Sequence, residues 1–318
     1  MPPPTAPPAT GTRTPWEALP SHVHTAVADI LGAPVATATT QPGGFSPGTA
    51  ARVRTTHDHR AFVKAVSAHT NPTSPKFHRR EARYAAALPP TVPAPRLLGT
   101  YDDGTWAVLV FEDVPGRQPR IPWRQEELTR VLSAVTDLAH ALTPSPVADA
   151  PRAEDSLTGD FDGWQRLLEH PGLVARLDDR TAAHLPRLAE LAAPWPEAVS
   201  GDTLAHGDLR ADNMLLTDDD RVVFVDWPHV TRGAPWLDLL LMLPCVTAQG
   251  GPDPEELFTG HPLGRAADPD AVTAALAGLA GYFVSQSLQP PPPGIPTVRA
   301  FQRAQGEAAL AWLRSRTG

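Results

Sequence analysis

Between residues 205 and 215 the chain reads AHGDLRADNML, which sets His206, Asp208, Arg210, Asp212 and Asn213 among apolar residues. Asp208 and Asn213 are five apart in an H-x-D-x-x-x-x-N pattern, and Asp226 follows thirteen residues after Asn213, at the end of the apolar run VVFV. Phosphoryl transfer needs such donors. Charge develops on oxygens held close together, the Mg²⁺ that neutralises it takes oxygen ligands, and a further carboxylate must face the acceptor hydroxyl to orient it or take its proton. Taken singly, Asp208 and Asn213 read as turn or cap residues and Asp226 as the end of a strand. Their joint spacing between apolar strands separates the chemical reading from those.

The upstream half supplies matching parts. Lys64 lies inside the alternating strand AFVKAV and needs an anionic partner there. Glu81 on the following predicted helix is one candidate, and nucleotide phosphates are the other. A solvated helix face is the rival reading for Glu81, because HRREAR is highly charged. The segment PGGFSPGT carries Gly43, Gly44 and Gly48 between two strands, where backbone N–H groups cover phosphates, with Ser46 at the tip as a hydroxyl donor. It is not a G-x-G-x-x-G loop, and a turn-only role is its rival.

The elements that must position these residues fall in two halves. APVATATTQ, AARVRTT and AFVKAVS read as a small antiparallel meander. SPKFHRREARYAAAL reads as a helix, and PRLLGTYDDGTWAVLVFEDV as a hairpin turning at Asp103-Gly104. After VPGRQP, Leu128, Val131, Leu132, Val135, Leu138 and Leu142 recur at helical spacing. LVARLDDRTAAHLPRLAELAA, DPDAVTAALAGLAGYFVSQSL and TVRAFQRAQGEAALAWLRSR also read as helices, the last two joined by the stiff QPPPPGIP. The expected organisation is a disordered tail over 1–14, a β-rich lobe over 15–114 and a helical lobe over 115–318, hinged near Val114 to Pro119.

Composition narrows the partners. With 42% hydrophobic and 19% charged residues in 318, the chain is a globular protein large enough for two lobes. A net charge of −8 without a basic run argues against nucleic acid. The N-terminus has no apolar signal region and no stretch is long enough to span a bilayer, so no membrane partner and a cytoplasmic location are expected. The single cysteine, Cys245, sits in an apolar run and reads as core. His22 with His24 and His57 with His59 resemble short metal motifs without an acidic or cysteine cluster, and read as surface loops. Oligomeric state is not legible.

AHGDLRADNMLL, VVFVDW and GAPWLDL resemble the aminoglycoside phosphotransferase family, and the likeness extends upstream through AFVKAV, HRREARYAAAL, PAPRLLG and VLVFEDVPG, over roughly residues 35 to 245. The resemblance implies an α+β, bilobal protein-kinase-like fold. It implies ATP, with GTP as the alternative donor, together with Mg²⁺ and a small-molecule hydroxyl acceptor. By resemblance Asp208 is the catalytic aspartate, Asn213 and Asp226 are Mg²⁺ ligands, and Lys64 contacts the α- and β-phosphates while pairing with Glu81. The backbone of Glu112 and Val114 would hold the adenine edge. His206 and Asp238 would brace the catalytic loop, and Arg210 would touch the γ-phosphate.

The departures carry information too. Asp226 is followed by Trp227-Pro228 rather than Phe-Gly, and eight residues separate it from PWLDL. That leaves no room for a long phosphorylatable segment, which favours a small-molecule kinase over a protein kinase. A nucleotide-binding module without catalysis is the alternative, and a metal-dependent hydrolase using His206 and Asp208 explains less. The acids available for a cationic acceptor, Asp160, Asp162, Asp253, Glu255 and Glu256, are spread over separate segments.

Overall fold

The computed structural model describes residues 6–318. Strands β1 (Val35–Thr40), β2 (Thr49–Thr55), β3 (Arg60–Ser67), β4 (Leu97–Asp102) and β5 (Trp106–Glu112) form an antiparallel sheet in the order β1-β2-β3-β5-β4. Alternation in β3 sorts its side chains. Ala61, Val63 and Ala65 are buried with Val108 and Val110 of β5, while Phe62 and Lys64 lie on the opposite face. Helix α1 (Ser21–Leu31) packs Val23 and Val27 against the first face and stops at Gly32 in the left-handed conformation. His22 and His24 belong to this helix and not to a surface loop: the His24 ring bonds the Trp16 carbonyl at 2.9 Å. Among the described residues, no group of three or more His, Cys, Asp or Glu gathers as a metal cage.

Helix α2 (Ser74–Ala87) crosses the sheet on its other side and buries His78, Glu81 and Tyr84 on one stripe. Residues 113–120 then lead into the helical part. Its core is built on α3 (Gln125–Ala141), α4 (Leu237–Ala248), α5 (Pro269–Ser287) and α6 (Val298–Thr317). Leu128, Val131, Val135 and Leu138 face inward from α3, as their spacing requires. The expected continuous helix over 173–193 is instead broken into Pro171–Val174, Asp179–Ala183 and Leu185–Ala192. Asp178 caps the Thr181 N–H at 3.0 Å, and Pro186 can only open a new helix.

Two small antiparallel ladders frame the charged loop. β6 (Thr203–Ala205) pairs with β9 (Thr231–Gly233), and β7 (Met214–Leu216) pairs with β8 (Val222–Phe224). The loop 206–213 is tied at both ends to paired strands, and Asp226 follows the last strand of the second ladder.

The disordered tail expected over 1–14 differs from what is found. Residues 1–5 lie outside the described residues. Residues 6–14 run extended, bonding Ala6 N–H to the Ala248 carbonyl at 2.7 Å and Thr12 N–H to Gly294 at 3.0 Å. They also pair with the glycine-containing turn through Thr10–Gly44 and Arg13–Gly48. A proline-rich segment is already extended, so its ordering entropy is small and a few backbone bonds hold it.

Candidate active site

A cleft of about 430 Å³ opens between the sheet and the helical part, lined by Gly44, Ser46, Lys64, Glu81, Glu112, Val114, Asn213 and Asp226. Lys64 Nζ lies 2.7 and 2.8 Å from the two Glu81 carboxylate oxygens and 2.7 Å from Asp226 Oδ1. Glu81 is 3% exposed, so the solvated-face reading fails for this residue. Burial alone would lower the Lys64 pKa, but Asp226 and Glu81 outweigh it and raise it. Burial pushes Glu81 upward against the pull of Lys64. For Asp226 the burial penalty is overcome by Lys64, which holds it below the ordinary carboxylate range. Two carboxylates thus share one ammonium, an imbalance that a further cation relieves.

The loop 206–213 is built on His206. Its Nε2 bonds the Val225 carbonyl at 3.0 Å, and its Nδ1 accepts the Asp208 N–H at 3.3 Å. That pattern requires the neutral ring with the proton on Nε2, and burial lowers its pKa to about 4. The Trp227 ring packs 4.5 Å away, filling the place after Asp226 with an indole that donates to the Phe224 carbonyl at 2.9 Å. Asp238 accepts the His206 and Gly207 N–H groups at 2.7 and 2.9 Å. Burial raises it to about 6, although both bonds favour its charged form. Gly207 has φ +80°, and a Cβ there would stand 2.3 Å from the His229 carbonyl oxygen.

Asn213 Nδ2 donates to the Asp208 carbonyl at 2.8 Å and to Asp208 Oδ2 at 3.2 Å. Its carbonyl oxygen and Asp226 Oδ2 remain as hard donors on residues that line the cleft. Two protein oxygens suit Mg²⁺, which keeps its other positions for phosphates and water. Asp226 holds φ +70°, a left-handed conformation that aspartate tolerates better than most residues.

Arg210 is placed differently from the expected γ-phosphate contact. Its Nη1 lies 2.6 Å from both Asp208 oxygens, and its Nε and Nη2 hold Asp212 at 3.0 and 2.8 Å. The guanidinium stacks on Phe45 and Phe301 and lines a second cavity, not the first. Burial raises the Asp208 pKa and Arg210 opposes it.

Gly44 and Ser46 line the interlobe cleft, with Gly44 at φ +77°. Glu112 and Val114 line it at the hinge. The Val114 carbonyl accepts from Arg52 at 3.2 Å, and the Glu112 N–H donates to the Arg96 carbonyl at 3.0 Å. The Val114 N–H has no intramolecular partner among the described residues. His78 and Arg13 also line the cleft, and neither is singled out from the sequence. His78 shares the buried α2 stripe with Glu81, a 3-residue spacing that was visible. Arg13 comes from the segment read as disordered.

The second cavity, about 790 Å³, opens on Asp208 and is lined by Tyr84, Phe161, Tyr282, Phe301 and Gln302 among others. Of the five dispersed acids only Asp160 lines it, with its pKa raised by burial. Asp162 accepts from Trp195 Nε1 at 3.0 Å, Asp253 caps Glu256 N–H at 3.0 Å, and Glu255 pairs with Arg316 at 2.7 Å. Glu256 is exposed.

The sequence pattern of the phosphotransferase enzyme family (APH) matches residues 39–281. Aminoglycoside 3'-phosphotransferases of Streptomyces fradiae and Streptomyces ribosidificus are 33% identical over 130 and 132 residues, which is 39% of this chain and 47% and 48% of theirs. The chain thus spans about half the length of the curated relatives it matches. Among solved structures, aminoglycoside phosphotransferase APH(4)-Ia with ADP and hygromycin B superposes with TM-score 0.61 at 16% identity, over 94% of this chain and 100% of that one. Choline kinase LicA from Streptococcus pneumoniae gives 0.58 at 15% identity, over 93% and 100%. The α+β fold is therefore kinase-like, and the chain belongs to the phosphotransferase enzyme family.

Proposed function

We propose that this chain transfers the γ-phosphoryl group of ATP to a hydroxyl of a small molecule, with GTP as the alternative donor. One observation carries the reading. Asp208 faces the second cavity while Asn213, bonded to its carboxylate at 3.2 Å, lines the interlobe cleft, so one loop borders both. A donor in the cleft and an acceptor in the cavity would meet at Asp208.

In this reading Lys64, held by Glu81, orients the phosphates of the nucleotide, and the hinge backbone near Glu112 and Val114 receives the base. Asn213 and Asp226 would hold Mg²⁺, which supplies charge neutralisation at the phosphates when bound. Asp208 orients the acceptor hydroxyl and receives its proton as the new O–P bond forms and the bond to the ADP oxygen breaks. Arg210 favours the ionised form of Asp208 against burial and positions it. Much of the acceleration comes from positioning in a preorganised site. Among the described residues no helix is long and apolar enough to cross a membrane; a cytoplasmic location remains our proposal.

Relatives named for aminoglycosides and choline motivate the acceptor panel: aminoglycosides, macrolides and small metabolic alcohols, incubated with ATP and Mg²⁺. Acceptor-stimulated ADP release supports the reading. Nucleotide binding without turnover on any acceptor favours the non-catalytic module instead.

A further inference from the structure

The strap formed by residues 6–14 brings a cation to the end of the interlobe cleft covered by the glycine-containing turn. Thr14 N–H bonds the Gly48 carbonyl at 3.1 Å, and Gly48 N–H bonds Thr12 at 3.2 Å, so the strap is knitted to the turn that covers the cleft. The Thr49 hydroxyl adds a bond to the Thr14 carbonyl at 2.9 Å. Between these ties, Arg13 turns into the cleft beside Lys64 and Asp226. Its Nη1 donates to the Ser46 carbonyl at 2.5 Å and its Nη2 to that of Gly43. A Cβ on Gly44 would meet Nη2 at 2.9 Å, so the turn leaves that space to the guanidinium.

An arginine has five N–H donors, and two are used here. Nε is buried without a partner, and the residue forms no ion pair among the described residues. Burial lowers its pKa, and Asp226 and Asp212 oppose that shift. A half-buried cation with an unused N–H on each of Nη1 and Nη2, lining the cleft with the proposed metal ligands, matches a polyanion that brings its own metal.

Resting on the nucleotide reading above, we propose that Arg13 binds the phosphate tail of the nucleotide, so that the N-terminal strap is part of the active site. Two backbone carbonyls fix the guanidinium before the ligand arrives, which reduces the entropy lost on binding.

The test is calorimetric binding of ATP, ADP and AMP with Mg²⁺ to the full chain and to Arg13→Gln and Arg13→Lys, with Lys64→Ala as the reference for lost phosphate contact. Arg13→Gln is expected to weaken ATP and ADP about tenfold and AMP less than twofold. Arg13→Lys, which keeps the charge, should recover part of the loss. Equal weakening of all three nucleotides, with no recovery in the lysine variant, would show that Arg13 only fastens the turn and overturn the proposal. Unchanged ATP affinity in Arg13→Gln, with Lys64→Ala impaired, would overturn it alone. A wild-type chain that binds no nucleotide would overturn the nucleotide reading as well.

Discussion

Nη1 of Arg210 lies 2.6 Å from both carboxylate oxygens of Asp208. That single nitrogen bridges the carboxylate, and Asp212 fixes the other side of the guanidinium. Asp208 therefore keeps its geometry without both oxygens being exhausted: Oδ2 also accepts from Asn213, while Oδ1 keeps a second lone pair for an acceptor hydroxyl. Burial drives the Asp208 pKa up, and Arg210 is the largest force pulling it back.

Arg210→Gln removes that pull. The acidic limb of the kcat/KM profile should move to higher pH, because Asp208 must lose its proton to act. An acidic limb that stays in place, measured on the same acceptor, would separate Arg210 from the ionisation of Asp208.

His206 gives a stability prediction with a defined sign. Its folded pKa, about 4, lies below the ordinary value of 6.5, so the unfolded chain binds more protons between those limits. The stability it contributes is complete above the unfolded value and is lost as pH falls through the folded one. Relative to His206→Gln, which retains a donor for the Val225 carbonyl, the wild type should lose up to about 3 kcal/mol between roughly pH 6.5 and 4. Urea unfolding of both proteins across that range measures it; parallel curves would contradict the buried neutral ring.

Asp238→Asn replaces an oxygen facing a backbone N–H with an amide that cannot accept. One of the His206 and Gly207 N–H groups would lose its partner, at a cost of about 2 kcal/mol. Chemical denaturation at pH 8, where Asp238 is ionised, should show the loss together with reduced turnover. Full stability in the variant would mean that the loop does not depend on this brace.

Asp226→Ala should abolish the Mg²⁺ dependence of nucleotide binding. It also leaves Lys64 paired to Glu81 alone, so binding of ATP in the presence of a chelator should change far less. A calorimetric titration with and without Mg²⁺ checks this, and a retained Mg²⁺ effect would remove Asp226 from the metal site.

Much of the site was legible because its residues sit at strand ends, where local geometry fixes spacing. Asp208, Asn213 and Asp226 flank β7 and β8, and three-residue strands leave little freedom between them. Lys64 was legible as a charge on an apolar alternation. Glu81 was ambiguous because Arg79, Arg80 and Arg83 around it are exposed, while its own stripe carries His78 and Tyr84. Helix α1 went unread although Val23, Val27 and Gly32 mark its face and end. The partners of the strap, the turn at 43–48, Ala248 and the connection at Gly294, are remote in sequence, and proline-rich composition alone reads as disorder. The Arg210 ion pairs were hidden for a related reason: a charged residue in a loop does not disclose which neighbour it turns to.

The most direct test is acceptor-dependent ADP release by the wild type and Asp208→Asn, measured with ATP, Mg²⁺ and the best acceptor from the panel. Asp208→Asn should retain nucleotide affinity and lose about 1000-fold in kcat, the scale of a positioned proton acceptor. An Asp208→Asn variant that turns over within a few-fold of the wild type would contradict phosphoryl transfer at Asp208.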